Sequence, residues 1–397
     1  MSTLSSERPR QGPTHAPIPA TPGLIRSIND RVVLDLLLEH GTLTRSDVRR
    51  LTGVSKPTAS QSLARLEASG HVLQVGVEQN HRGGRAPVVY QLNPRTGFAG
   101  ALDVTTTGVR AQIADLVGTV IGEHFLTNSA DPDSAIQALQ RALDEARMDI
   151  SELSSIVVAL PGSYDPGVDM LRFAGDLPLW QRPGLLAHLE QLTGVPCHVE
   201  NDVNLVAAAE RRFGVVRGED NFFLMWGDLG VGGALVLDGR LHRGSSGGAG
   251  EIAFFPIAGA PVVHNPVRQN YGGFDDLVGI DRIVELGKEH GVAGDTAVDI
   301  VANAVDSGHN EFLTELAGRY AAGLAAVVAI IDPSTVVLAG SILTAGGEPL
   351  RSAIEAQLLD VAIRSPHLLL GELVDQPVMA GALLVSLDNT RDRIFAT

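Results

Sequence analysis

Apolar residues recur at helical spacing in three short segments near the start of the chain. The first segment begins at Leu24 and stops at His40-Gly41. Thr44 and Ser55 precede the next two segments, and both residue types cap helices because their side-chain oxygens accept free backbone N–H groups. Gly53 lies in the turn between the second and third segments. Two short helices, a glycine turn and a longer helix predict a helix-turn-helix.

The third of these helices has one inward and one outward side. Ala59, Leu63 and Leu66 share a stripe when each residue turns about 100° around the helix axis. The start of this helix and its opposite face are predicted to meet base edges or phosphates of DNA. The candidate contacts are Ser55, Lys56, Thr58, Ser60, Gln61 and Arg65, with Thr44 and Arg45 ahead of them.

Two apolar strands follow, Val72–Val75 and Pro87–Leu92, with His-Arg-Gly-Gly-Arg between them. They are interpreted as the wing of a winged helix domain. Gly84 lets the backbone approach DNA, and Arg82 and Arg85 reach a phosphate or the minor groove. Taken singly, the helices could be a packing unit and the glycines a hairpin tip. Their order along the chain favours DNA binding.

The rest of the chain alternates strands with helices. The pattern predicts a strand at Ala99–Val104, a hairpin partner at Val109–Asp115, a helix at Ala135–Arg147 and a buried strand at Ser155–Leu160. This alternation is typical of a doubly wound α/β domain. Two apolar helices end the chain, the first ending at Ile331 and the second at Phe395.

One strand-to-helix corner carries candidate chemistry. A strand at Pro196–Val199 runs into a helix at Val203–Phe213, and Asn201 and Asp202 lie between them. One of these side chains can cap the helix while the other points into the crevice at the strand end, where open α/β sheets bind ligands. The alternative is that both serve the helix start only.

Charge divides the chain into the same regions. The net charge is −16, but residues 1–95 hold 12 basic and 7 acidic residues, against 18 and 39 in the remainder. A basic module on an acidic body is indicated. We therefore expect a disordered tail at residues 1–22, a winged helix-turn-helix domain at 23–95 and a larger domain at 96–397.

Cysteine content and hydropathy limit the possible classes further. The only cysteine, Cys197, excludes an internal disulfide and a cysteine-rich zinc cluster. No apolar run predicts a membrane span and no signal-peptide core is visible, so a cytoplasmic location is expected.

Several short motifs follow one another along the chain: Ser55–Ser60, Gly83–Arg85, Leu160–Gly162, Asp165–Gly167, Leu177–Trp180, Glu200–Asp202, Ala207–Glu210, Gly230–Gly233, Leu237–Gly239, Gly247–Glu251 and Asp332–Gly340. In this order they resemble regulators of the ROK family, in which a winged helix-turn-helix precedes a sugar-kinase-like domain of the actin/hexokinase (ribonuclease H-like) type. The resemblance covers residue 24 to the end. It implies a two-lobed domain whose final helix packs back on the first lobe, and a homodimer or homotetramer.

The resemblance also implies sugar-contacting roles for Asn201, Asp202 and Glu251, with Gly162 beside them. Carboxylate and amide groups on a rigid corner can accept bonds from vicinal hydroxyls. The alternative is that Asp202 caps the helix and Glu251 pairs with a nearby arginine.

Phosphate-binding turns depart from the kinase-type members. These members carry Asp-x-Gly-Gly-Thr near their start, whereas here Thr105 and Thr106 replace the glycines, so that any positive φ becomes costly. Leu229 stands where a hydroxyl residue is expected and cannot donate a hydrogen bond. Phosphoryl transfer depends on positioned donors and metal, so neither kinase activity nor bound ATP is expected.

The family's zinc motif is also altered. Phe254 replaces a histidine, residues 256–274 contain no cysteine, and His264 is isolated. Structural zinc needs about four ligands, so no metal is expected. Phe254 can stack on a sugar face, and Asp275 aligns roughly with a later sugar-contacting glutamate of the family. The effector is therefore an unusual sugar, a derivative, or another small molecule.

The hypothesis from sequence is a transcriptional regulator, interpreted as a repressor of sugar or carbon metabolism. It would bind a double-stranded DNA operator, and a small ligand in a non-catalytic cleft would alter its affinity for DNA. Two alternatives stay open: an active ATP-dependent sugar kinase with an accessory DNA-binding domain, and a DNA-binding dimer without a ligand.

Overall fold

A computed structural model of the chain describes residues 22–77, 86–128, 131–260, 262, 264 and 272–396. The chain divides into two compact units, one of residues 1–93 with 395–397 and one of residues 94–394. The predicted tail, apart from Pro22, lies outside the described residues, as do Arg82, Gly84 and Arg85 of the predicted wing.

The first unit is a helix-turn-helix with a small antiparallel sheet. Its sheet has the strand order β1-β3-β2. The predicted winged helix-turn-helix fold is confirmed. The elements are α1 (Pro22–His40), β1 (Thr42–Thr44), α2 (Arg45–Thr52), α3 (Lys56–Ala68), β2 (Val72–Val77) and β3 (Val88–Leu92).

The helix starts are capped as the sequence predicts. Thr44 and Asp47 form a capping box, in which the Thr44 hydroxyl accepts the Asp47 N–H at 3.3 Å and the Asp47 carboxylate accepts the Thr44 N–H at 3.0 Å. Gly53 ends α2 with φ of 72°, a conformation that glycine adopts without strain. The Ser55 hydroxyl accepts the Thr58 N–H at 3.3 Å. Together these caps fix the angle at which α3 leaves the turn.

The second unit begins with a five-stranded sheet of order β10-β7-β4-β5-β6. The three adjacent strands β10, β7 and β4 are parallel, so their carboxyl ends meet at one edge of the sheet. We call this sheet and its helices the first lobe. Its elements are β4 (Phe98–Thr105), β5 (Gly108–Asp115), β6 (Val120–Thr127), α4 (Pro132–Ala146), β7 (Leu153–Leu160), β8 (Ser163–Asp165), β9 (Met170–Arg172), α5 (Leu185–Thr193) and β10 (Cys197–Asn201).

The second lobe contains another five-stranded sheet, of order β13-β12-β11-β14-β15. Helix α6 joins the lobes, because Leu205 packs with the first-lobe sheet while Val203 and Val206 pack with the second. The remaining elements are α6 (Asp202–Phe213), β11 (Phe222–Gly227), β12 (Val231–Leu237), β13 (Arg240–Leu241), α7 (Asp275–Val278), α8 (Ile280–Glu289), α9 (Ala297–Asp306), α10 (Asn310–Ile331), β14 (Thr335–Ala339), α11 (Ser341–Val361), β15 (His367–Leu370) and α12 (Pro377–Phe395).

Helix α12 packs on the first lobe. Met379 and Ala382 lie in one buried cluster with Ala99 of β4. The Ser386 hydroxyl donates to the Ser155 carbonyl oxygen at 3.1 Å. The start of α6 and α12 thus cover one face of the first sheet, and α4 and α5 cover the other.

Helix α10 corrects one expectation from the sequence. By length and apolar composition it is able to cross a membrane, although no such span was predicted. Leu316, Tyr320 and Leu324 of this helix are fully buried in the core of the second lobe. Its apolar composition is therefore accounted for by packing inside the protein.

Candidate functional site

Asn201 and Asp202, the two polar residues at the corner between β10 and α6, make different contacts. The Asn201 side chain caps α6 by accepting the Asn204 N–H at 3.0 Å, and its amide donates to the Gly162 carbonyl oxygen at 2.9 Å. The Asp202 carboxylate accepts the adjacent Val203 N–H at 2.8 Å and its own backbone N–H. Asn201 therefore fixes the corner, and the Asp202 carboxylate keeps accepting capacity for a ligand.

Gly162 supports this corner through its backbone. It follows β7, adopts φ of 85°, and an added Cβ would lie 2.3 Å from the Arg172 carbonyl oxygen. A side chain at this position would clash with backbone atoms and would also have to adopt a strained conformation. Glycine is therefore required for the turn that receives the Asn201 amide.

Three carboxyl groups with raised pKa values converge at this edge of the sheet. Burial, and then the charges of Asp103 and Asp228, raise the pKa of Asp202 to about 7. Burial and the charge of Asp202 raise the pKa of Glu251 to about 7, and burial raises the pKa of Asp103 to about 6. Asp202, Glu251, Asp103 and Asp228 are called the acid cluster below.

Sequence reasoning missed two members of the acid cluster. In the sequence, Asp103 is only the first residue of the altered phosphate turn 103–107, and Asp228 belongs to none of the motifs given above. A usable signal existed, because Asp103 lies near the carboxyl end of β4 and Asp228 directly follows β11. Polar residues at the carboxyl ends of strands are candidates for ligand contact in α/β folds.

The loop after β13 carries Glu251 and Phe254 to the site. Glu251 does not pair with the arginine of this loop, since Arg243 binds Glu200 at 2.6 Å. The Phe254 ring lies 5.1 Å from the Phe173 ring, at a tilt of 47°. The Phe254 ring, just after Glu251, and the Phe173 ring of the first lobe thus form an apolar pair.

The role of Asp275 as a sugar contact stays a prediction, and the structure places its carboxylate at the glycine turn before β12. Its carboxylate accepts the Val231 N–H at 3.2 Å, at the start of β12. Burial raises its pKa, with smaller contributions from Asp276 and Asp281 rather than from the acid cluster. The Asp275 carboxylate therefore already accepts one backbone N–H, that of Val231, next to the glycine turn at Gly230.

The first phosphate turn, which contains Thr105 and Thr106 and joins β4 to β5, is a tight hairpin. Thr106 and Thr107 form its tip, and none of the three threonines 105–107 has positive φ, so the predicted strain does not arise. The Thr105 hydroxyl lies 3.0 Å from the Thr107 hydroxyl and donates to the Gly108 carbonyl oxygen at 3.1 Å. The Thr105 and Thr107 hydroxyls therefore form hydrogen bonds within the turn, to each other and to its backbone.

A further acceptor, Asp228, lies directly before the second phosphate turn. The Asp228 carboxylate accepts from the Ser341 hydroxyl at 2.6 Å, at the N-terminus of α11. Leu229, next to it, is 67% exposed. Helix N-termini and glycine turns attract anions, but here carboxylates of the chain already lie beside both.

Most candidate DNA contacts lie on the accessible start of α3. Lys56 and Gln61 are exposed, and Thr58 and Ser60 are half-buried. Ser55 is exposed, although its hydroxyl already serves as the cap.

Three other candidates have partners inside the first unit. Thr44 is buried, with its hydroxyl bonded to Asp47. The Arg65 guanidinium donates to both carboxylate oxygens of Asp30, at 2.7 and 2.9 Å. Arg45 donates to the Tyr90 hydroxyl at 2.6 Å but stays exposed. Arg45 thus stays accessible to DNA, whereas Thr44 and Arg65 have structural contacts.

The residues present do not fit the zinc ion of the family's motif. Within the described ranges, no group of three or more His, Cys, Asp or Glu residues is placed to hold a metal ion. Phe254 offers no lone pair, and residues 256–274 contain no cysteine thiolate.

Comparison with known proteins matches both units. A family model for the MarR family matches residues 28–83, and the model for the ROK family matches residues 99–389. The xylose repressor of Bacillus subtilis strain 168 is 25% identical over 238 residues, which is 59% of this chain and 61% of the repressor. The chain therefore spans about three fifths of the length of that relative.

Two solved structures share the fold. A ROK family transcriptional regulator, a homolog of the Escherichia coli MLC protein, has a TM-score of 0.72 at 21% identity, covering 94% of this chain and 98% of its own. A ROK family glucokinase from Streptomyces griseus, in complex with glucose and AMPPNP, has a TM-score of 0.60 at 21% identity, covering 74% and 100%. With a family model matched over most of its length, this chain belongs to the ROK family.

Proposed function

We propose that this protein is a cytoplasmic DNA-binding transcriptional regulator, most simply a repressor of sugar metabolism genes, whose affinity for DNA responds to a small ligand. Residues 23–95 would bind DNA and residues 96–397 would bind the ligand and form a homodimer or homotetramer. One observation carries the proposal: a matched winged helix-turn-helix is joined to a ROK domain that keeps a sugar-type acid cluster. A relative named xylose repressor supports the same reading.

The ligand site proposed is the part of the cleft at Asp202 and Glu251. Both carboxyl groups have accepting capacity, and Asn201 retains one amide hydrogen after donating to Gly162. Hydrogen bonds from hydroxyls to carboxylates are worth about 1.5–3 kcal/mol each. The Phe254 and Phe173 rings add an apolar face. This combination suits a sugar, with vicinal hydroxyls on one side and C–H groups on the other.

We propose further that the domain does not transfer phosphate. Asp228 and Asp275 place negative charge beside Ser341 and Val231, where a nucleotide phosphate would need free donors. Leu229 offers no hydroxyl, and the Thr105 and Thr107 hydroxyls of the first turn are bonded within the turn itself. Repulsion between these carboxylates and a triphosphate opposes nucleotide binding. The kinase-like lobes would then serve as a sensor.

DNA contact is proposed for the accessible residues of the first unit, principally Arg45, Lys56 and Gln61. Gln61 can read a base edge, and the two basic residues can meet phosphates. Arg82 and Arg85 stay predictions from sequence. A useful switch requires only about 1–3 kcal/mol of coupling between ligand and DNA. Closure of the lobes around Asp202 and Glu251 would provide it.

A phosphorylation assay separates the regulator from the kinase alternative. Purified protein is incubated with Mg-ATP and D-xylose or D-glucose, and sugar phosphate is followed by phosphorus NMR. We expect no product above the protein-free control. Product that is lost in Asp202→Asn would establish the kinase and contradict the proposal. In parallel, metabolite-dependent thermal shifts separate the sensor from a DNA-binding dimer that takes no ligand.

A further inference from the structure

Glu200 is a buried carboxylate next to the proposed ligand site. It is 4% exposed and lies on β10, one residue before Asn201. Burial alone would raise the pKa of Glu200, but His198, Arg243 and Asn204 together hold this pKa below its usual value. The group is therefore charged inside the protein, and such a charge needs compensation by partners.

Arg243 compensates part of this charge from the surface of the protein. Its Nε and one terminal nitrogen both lie 2.6 Å from Glu200 Oε2. The other oxygen, Oε1, accepts from the Asn204 side chain at 2.9 Å and from the Asn201 N–H at 3.1 Å. One carboxylate thus joins Arg243 to the corner that orients Asn201 and Asp202.

Arg243 comes from the other lobe. It follows β13 and belongs to the loop of residues 242–251, which ends at Glu251. The Arg243 carbonyl oxygen accepts the Ala249 N–H at 3.2 Å, so the loop folds back on itself. The loop also touches the first lobe at Gly247, where an added Cβ would lie 2.1 Å from the Tyr164 carbonyl oxygen. The Glu251 loop is therefore attached to the first lobe at two points.

We propose that Arg243 is a positioning residue for the ligand site. Through Glu200 it holds the Asp202 corner of one lobe and the Glu251 loop of the other at a fixed separation, without contacting the ligand itself. The ligand in this inference comes from the proposed function, whereas the contact between Arg243 and Glu200 does not depend on that function. Lysine would keep the charge yet lose the two-nitrogen contact. Methionine would remove both Arg243 contacts and leave buried Glu200 with His198, Asn204 and the Asn201 N–H as its partners.

Hydrogen–deuterium exchange on the full chain without sugar tests the contact directly. In Arg243→Met we expect at least tenfold faster exchange in residues 201–206 and in residues 247–254, with β7 unchanged. Adding Glu200→Gln to Arg243→Met should restore most of the protection, because a buried neutral amide needs no positively charged partner. Arg240→Met, at an exposed position of the same hairpin, is the matched control and should match wild type.

Two results would overturn the inference. One is unchanged exchange in either segment of Arg243→Met, and the other is equal acceleration throughout the domain, including β7. A titration with D-xylose and D-glucose then reports the ligand site, where Arg243→Met should weaken any binding at least tenfold and Arg243→Lys less. If neither sugar binds wild type, the proposed sugar site fails while the exchange experiment still decides the role of Arg243.

Discussion

Two helix N-termini in this chain are built alike and face different surroundings. Helix α3 begins with Ser55 as its cap and has no acidic residue in its first turn, and Lys56 beside the cap is exposed. Helix α6 begins with Asn201 as its cap, and Asp202 occupies its first turn. A helix N-terminus favours anions. The start of α3 is therefore open to DNA phosphates, whereas α6 already holds its own anion and suits a ligand that donates hydroxyl hydrogens.

The largest effect expected from this difference is on ligand affinity. Asp202→Ala removes the carboxylate that accepts hydroxyl hydrogens, and losing two charge-assisted bonds of about 1.5–3 kcal/mol each weakens sugar binding at least about 100-fold. Calorimetric titration with the sugar that binds wild type measures this. Asp360→Ala, which changes an exposed acid on α11, is the control and should bind normally. Equal affinity in Asp202→Ala would show that α6 does not hold the ligand.

The pH dependence of stability should come from α6 and its neighbours. The pKa of Asp202 is raised from 3.8 to about 7 in the folded chain. The stability that a raised pKa contributes is fully present below the unfolded value and is lost as pH rises through the folded value. Asp202→Asn should therefore gain stability over wild type between pH 4 and 7, by up to about 1.4 kcal/mol per pH unit.

Urea unfolding at pH 5 and pH 8 measures that gain. The advantage of Asp202→Asn over wild type should be larger at pH 8. Asp360→Asn serves as the matched control and should show no such trend. A smaller advantage at pH 8 would mean that Asp202 has a charge-stabilising partner in the folded chain.

An intermediate effect is expected at α3. Gln61→Ala removes a side chain able to pair with a base edge, so discrimination at one base pair should fall by about 1–3 kcal/mol. Lys56→Ala should weaken binding to all sequences alike and reduce the salt dependence by about one phosphate contact. Binding to DNA selected from a random pool, measured by fluorescence anisotropy, separates the two. Uniform weakening in Gln61→Ala, with the loss of discrimination in Lys56→Ala instead, would exclude Gln61 as the base-reading residue.

The smallest effect concerns the cap itself. Ser55→Ala removes the acceptor for the Thr58 N–H, which costs about 1 kcal/mol of stability. Asn201→Ala should cost more, because Asn201 also donates to the Gly162 carbonyl oxygen. Thermal unfolding of the two variants tests this order. Equal losses would indicate that the Gly162 contact adds nothing to stability.

Local features of both helix starts were predictable from the sequence. Caps at Thr44 and Ser55, the Gly53 turn and the corner at Asn201 each depend on residues within a few positions of one another. Hydrophobic periodicity also placed the strands from Ala99 and the helix from Ala135 to within a few residues. Such short-range patterns reflect backbone hydrogen bonding and the side that each element buries.

Contacts between distant segments were not predictable in this way. Arg65, a predicted DNA contact, binds Asp30, 35 positions away, and the sequence did not indicate this bond inside the unit. Arg243 reaches Glu200 over 43 positions, and Ser341 reaches Asp228 over 113. A single sequence encodes these pairs only through the complete fold. The family resemblance named Asp275 as a sugar contact but could not indicate its bond to Val231.

The central claim is that a ligand at Asp202 and Glu251 changes DNA binding. The most direct test measures the affinity of the full chain for its selected DNA at fixed salt, with and without saturating D-xylose or another sugar that stabilises the protein. The account predicts a change of at least about fivefold in wild type, corresponding to about 1 kcal/mol of coupling, and none in Asp202→Ala. Unchanged DNA affinity in wild type with the sugar demonstrably bound would contradict it.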